Sequence, residues 1–150
     1  MKTGLFLLFA LCSLISCAQS NSKPDSSTST STEASPAVNT KTDSLISSLK
    51  KSMESYLKNG NASYSQQNID ECILILKDYA SNIPKSSSKD EVVGHVKSTV
   101  LKLNALNDAT GGSLIETGER ELIAEIINIP IEKLKYIKPG EDATEEWREW

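Results

Sequence analysis

The chain has 150 residues, with 16 Lys and Arg against 20 Asp and Glu, and a pI near 5.1. One ordinary domain fits that length, and the acidic balance argues against a nucleic-acid partner. With 5% aromatic residues, three Cys and one His, the chain is poor in material for a stacked aromatic surface or a Cys/His zinc site. No metal and no cofactor are expected.

Residues 1–17 read MKTGLFLLFALCSLISC. Lys2 supplies a positive start, and Leu5 to Leu11 are continuously apolar. A hydrocarbon core about 30 Å thick needs roughly 20 apolar residues, so this run is too short to span one. Its place and length suit the apolar region of a secretory signal peptide. Leu14-Ile15-Ser16-Cys17 then resembles the lipobox of bacterial lipoproteins: an aliphatic residue, a permissive position, a small residue and Cys. The resemblance covers only the first 17 residues. It implies removal of residues 1–16, a diacylglycerol thioether on Cys17 and usually a further acyl chain on the new amino group. Two or more chains anchor a protein stably where one binds marginally. Ala18 stands where Asp would retain such a lipoprotein at the inner membrane. The resemblance therefore implies a lipid-anchored protein of the cell envelope, on the outer membrane of a Gram-negative bacterium.

Cys12 would leave with the leader and Cys17 would carry lipid, so Cys72 is the one thiol left to the folded part. It falls among Ile69, Ile73 and Leu76 at helical spacing and is expected to be buried and inert.

Residues 17–43 read as a lipidated Cys followed by a tether. From Ala18 to Asp43, twelve of 26 residues are Ser or Thr, with Pro24 and Pro36 among them and Val38 as the only large aliphatic side chain. Such a stretch cannot bury enough apolar area to offset its ordering entropy, so a disordered linker is expected. A flexible chain of that length spans roughly 25 to 30 Å.

Residues 44–150 carry the helical signals. Leu45, Ile46, Leu49, Met53, Tyr56 and Leu57 fall on one stripe between Ser44 and Lys58, with Asp43 placed to cap it and Asn59-Gly60-Asn61 to stop it. Asn68 to Glu71 has capping-box spacing and opens a second helix, in which Ile69, Cys72, Ile73, Leu76, Tyr79, Ala80 and Ile83 repeat at three and four. Leu74 and Ile75 widen its apolar surface, which predicts a central position, and Pro84 ends it. Ser88 to Glu91 is another capping box, followed by Val92, Val96, Val100, Leu103 and Leu106 on one face, with Gly94 placed for a close helix contact. Gly111-Gly112 breaks the chain.

Thr117 can cap a fourth helix with Leu122, Ile123, Ile126 and Ile127 as its apolar patch, stopped or bent at Pro130. Ile131, Leu134 and Ile137 predict a short extra turn, and Thr144 to Trp150 a final helical one. No stretch alternates as a strand would. The fold expected is all-α: a small bundle or irregular array of about four main helices, after a signal peptide and a disordered linker.

No catalytic constellation emerges. His95 flanks the valine stripe without a nucleophile motif and reads as a partly exposed structural residue. Glu116, Glu119, Glu121 and Glu125 read as a solvated face. A wall-polysaccharide hydrolase would need a pair such as Glu116 and Glu121 in one pocket.

The segment 141–150 is the most unusual stretch. Trp147 and Trp150 stand three residues apart among five acids and Arg148. Docking onto the helices would tie this end down, whereas exposure would make Trp147, Trp150 and Arg148 a hook for a partner. The expectation is a non-catalytic, lipid-anchored interaction module, bound to the membrane through Cys17 and to an envelope or secreted protein through its domain. The acidic charge motivates a sharper alternative, an immunity protein or inhibitor of a basic toxin or wall-degrading enzyme.

Overall fold

A computed structural model describes residues 36–60 and 62–150, with side chains from Asn39 onward. The leader 1–16, Cys17 and the tether as far as residue 35 lie outside the described residues. Four α-helices form, and the described residues contain no strand: α1, Pro36–Lys58; α2, Gln66–Asn82; α3, Lys89–Ala109; α4, Thr117–Lys133.

Helix α1 starts eight residues before Ser44, so the last part of the expected tether is helical and Asp43 lies inside the helix. The physical reason is a longer stripe than the apolar residues alone reveal. Thr42, one turn before Ile46, is 2% exposed, and beside it Lys41 pairs with Glu125 of α4 at 3.0 Å. Ile46, Leu49 and Met53 continue the stripe into the core, while Leu45 and Leu57 flank it. Tyr56, expected on that stripe, is instead exposed and stacks on Tyr64 of the following loop. The Tyr64 hydroxyl donates to the Met53 carbonyl at 3.2 Å and fastens that loop to α1.

The capping box of α2 lies three residues earlier than its sequence spacing suggests. Ser65 is the cap: its hydroxyl accepts from the Asn68 amide, and the Asn68 side chain accepts from the Ser65 amide at 2.9 Å. Ile69, Cys72, Ile73, Leu76 and Tyr79 are buried, as their spacing requires, but Leu74 points to solvent. Its neighbour Ile75 is only partly covered. The chain passes Pro84 in a 3-10 turn, Ile83–Lys85. At α3 the hydroxyl of Ser88 accepts from the Glu91 amide, whereas the Glu91 carboxylate reaches past the cap to the Ser87 amide at 2.7 Å. Val92, Val96, Val100, Leu103 and Leu106 are buried as expected. Gly94 makes no close contact, since a side chain there would meet open space.

Helix α3 ends in a Schellman motif. Gly111 and Gly112 sit at φ 67° and 77°, with the Gly112 amide donating to the Asn107 carbonyl and the Gly111 amide to that of Asp108. In α4, Glu116 occupies the cap position without a side-chain bond, and Thr117 is the first helical residue. Pro130 does not stop this helix, which runs on to Lys133. A proline there loses its amide hydrogen bond and crowds the carbonyl four residues back, a cost that the burial of Pro130 and Ile131 offsets. Within that turn the Tyr79 hydroxyl donates to the Ile127 carbonyl at 2.8 Å. Ile131 is therefore part of α4, while Leu134 and Ile137 follow it as partly buried residues of an irregular segment.

The packing order follows from cross-helix pairs. Lys50 bonds Asp70, and Gln66 bonds Glu54 at 3.2 Å, so α1 and α2 run antiparallel. Lys41 with Glu125 and Ser52 with Glu119 set α4 antiparallel to α1 on another side. Tyr79 then joins α2 to α4, and α3 packs along α2. Helix α2 thus touches all three others, the central position expected of it. No described helix is long and apolar enough to cross a membrane.

Candidate interaction surface

The irregular segment after α4 is held by two asparagines that interrupt apolar stripes. Asn104 lies beside Leu103 on the buried side of α3, where an unpaired amide would be costly. Its Nδ2 donates to the Trp147 carbonyl at 2.8 Å, and its Oδ1 accepts from the Glu149 amide at 3.3 Å. Asn128 plays the same part from α4: its Nδ2 donates to Asp142 Oδ1 at 3.1 Å, and its Oδ1 accepts from the Ala143 amide at 3.0 Å. Each side chain offers one donor and one acceptor to the segment, Asn104 to two backbone groups and Asn128 to one backbone amide and the Asp142 carboxylate, so the segment is clamped at both ends.

Asp142 joins the clamps. One carboxylate oxygen also accepts from the Thr144 amide at 2.9 Å and the Thr144 hydroxyl at 2.7 Å, and the other from Arg148 Nη1 at 2.7 Å. Partial burial raises the pKa of this carboxyl. The bonds from Thr144 and Asn128 and the Arg148 charge outweigh that and hold it below its ordinary 3.8. Thr144 is fully buried, and the expected final helical turn is a single hydrogen-bonded turn over Thr144 to Arg148, in which the Trp147 and Arg148 amides donate to the Thr144 carbonyl.

The three residues expected to form a hook are placed differently from one another. Trp150 is 8% exposed and belongs to the core, with an indole nitrogen that finds no partner among the described residues. Arg148 is turned inward onto Asp142. Trp147 is half-buried, with its backbone held by Asn104 and its ring in the wall of a groove. The groove is about 190 Å³, floored by Val92, Val93 and Val96 of α3 and Ile131 of α4, and walled by Tyr136, Ile137, Ala143 and Trp147. Lys89, Asp142 and Glu146 stand at its edge, and Glu145 and Glu149 are exposed in the same segment.

The composition signal led to Trp147 but not to Asn104, Asn128, Asp142 or Thr144. An Asn on a buried helical stripe was the readable sign, because such a residue requires a polar partner from elsewhere in the chain.

Of the other candidates only Glu116 and Glu119 meet, in a cavity beside Tyr56 and Tyr64. His95 is half-buried on α3. Glu116 and Glu121 are both exposed, and the cavity that Glu116 lines does not include Glu121. Glu125 is engaged by Lys41. Cys72 is a buried free thiol whose pKa burial, followed by the nearby Glu119 charge, pushes up to about 12. Among the described residues no group of three or more His, Cys, Asp or Glu side chains is arranged to hold a metal ion.

The fold and surface define a class: a small all-α domain with a clamped C-terminal segment and an apolar groove edged by Lys89, Asp142 and Glu146. The chain matches no protein-family model, no curated protein and no solved structure.

Proposed function

We propose that the protein is a lipid-anchored, non-catalytic interaction module of the bacterial envelope, attached through Cys17 and engaging a protein partner at the Trp147 groove. The groove carries the second half of this reading. It is apolar on its floor and walls and large enough for one apolar side chain, and its half-exposed tryptophan stands on a backbone that Asn104 hydrogen-bonds. Rigid aromatic anchors in partly formed pockets are where interface energy concentrates. The lipobox supports the first half, since an acidic domain gains nothing from anionic lipid and needs the acyl chains for attachment.

The acids along residues 141–149 favour a basic partner and so support the sharper form of the reading, an immunity protein or inhibitor of a basic toxin or wall-degrading enzyme. Co-purification of a basic secreted enzyme, lost in Trp147→Ala, would distinguish that form.

The anchor is tested by metabolic labelling with palmitate and membrane fractionation. Cys17→Ser should abolish labelling and release the chain from the membrane fraction, whereas unchanged labelling would remove the anchor from the account.

A further inference from the structure

A second cavity, of about 320 Å³, opens where the C-terminal half of α1, the loop after it and the loop into α4 converge. That volume is at the small end of the roughly 300–1,000 Å³ typical of ligand sites. Tyr56 and Tyr64 both line it and stack with ring centroids 6.3 Å apart and planes 25° apart. Glu116 and Glu119 enter from the start of α4. Ser52 donates to Glu119 at 3.2 Å, while Glu116 forms no side-chain cap on its helix. No Lys or Arg lines the cavity. Its negative field reaches the wall: burial, then Glu119, Tyr56 and Glu116, raise the Tyr64 phenol to about 12.

We propose that this cavity binds a small organic cation, an alkylammonium or alkylguanidinium group, between the Glu116 and Glu119 carboxylates and the tyrosine pair. Two carboxylates without a protein cation in the same cavity repel anions and attract a positive head group. The tyrosine rings add cation–π attraction and cover the alkyl part. Hydroxyl oxygens of Ser52 and Ser113 offer further acceptors for N–H donors. A neutral sugar could use the rings and hydroxyls but would leave both charges uncompensated. This site is separate from the Trp147 groove and shares no lining residue with it.

The test is an NMR titration of the full chain with n-butylammonium. 1-Butanol serves as the uncharged isostere and N-acetylglucosamine as a neutral saccharide. Saturable shifts at Tyr56, Tyr64 and Leu114 are expected with n-butylammonium only. Affinity should fall about tenfold in Glu119→Gln, the loss expected for one hydrogen bond to a charged group. Tyr56→Ala alters an exposed ring without touching the charges and should also weaken binding. Glu121→Gln, on the outer face of α4, should leave it unchanged. Retained amide dispersion shows that each variant is folded. Absence of saturable shifts, equal response to 1-butanol, a response to the sugar alone, or full affinity in the Glu116→Gln/Glu119→Gln double variant would overturn the proposal.

Discussion

Asn104 shows what one polar side chain in an apolar stripe accomplishes. Its amide satisfies a carbonyl and an amide of the clamped segment, so Asn104→Ala leaves both groups without that partner. The expected cost is about 2 kcal/mol, near 1 for each lost bond. Urea unfolding measures it, and a red-shifted Trp147 emission before global unfolding should accompany it. Asp142 makes the same clamp pH-sensitive. Because its folded pKa lies below the ordinary 3.8, its contribution is complete above that value and disappears as pH falls through the folded pKa. Tryptophan emission should therefore shift to the red on acidification below pH 4, and Asp142→Asn should shift it at neutral pH and flatten the acid response. From the sequence, the tryptophan pair was visible because aromatic residues are rare in this chain. The clamp was not, since an Asn discloses its partner only once distant segments meet. Cys72 was readable because Ile69, Ile75 and Leu76 stand three and four residues from it.

The helices are legible wherever a stripe and a cap coincide, and less so where tertiary contacts extend them. The core positions of α2 and α3 follow directly from their spacing. Helix α1 runs past its expected start because Thr42, a polar residue, occupies a stripe position that α2 and α4 cover, an effect that no local pattern encodes. Helix α4 passes Pro130 because tertiary packing holds that turn: Pro130 and Ile131 are buried, and the Tyr79 hydroxyl bonds the Ile127 carbonyl. It closes instead at Lys135, the one described non-glycine residue with positive φ, at 62°, where the Tyr136 amide donates to the Ile131 carbonyl. An L side chain in that conformation costs roughly 1–2 kcal/mol, which glycine avoids. Lys135→Gly should therefore stabilise the domain by about 1 kcal/mol, part of the gain being lost to the greater freedom of unfolded glycine. A rise in the urea midpoint at constant slope is the expected observation, and a fall would remove the strain assigned to this position.

At the scale of the whole molecule, α1, α2 and α4 pack mutually, α3 lies along α2, and the irregular C-terminal segment is clamped to α3 and α4. All-α architecture and the helix count follow from periodicity alone, because each helix carries an aliphatic stripe and each connection a breaker or cap. The groove does not, because its walls come from three separated parts of the chain, residues 89–96, 131–137 and 142–147. It is where the proposed interaction module would meet its partner. The most direct test is photo-crosslinking in living cells from a probe amino acid at Val93, which is 38% exposed on the groove floor, with Leu101 on the same helix, 47% exposed and outside the groove, as the control position. The account predicts a discrete protein adduct from position 93 that is absent from position 101 and lost in Trp147→Ala. The same adducts from both positions, or no protein adduct from position 93, would contradict it.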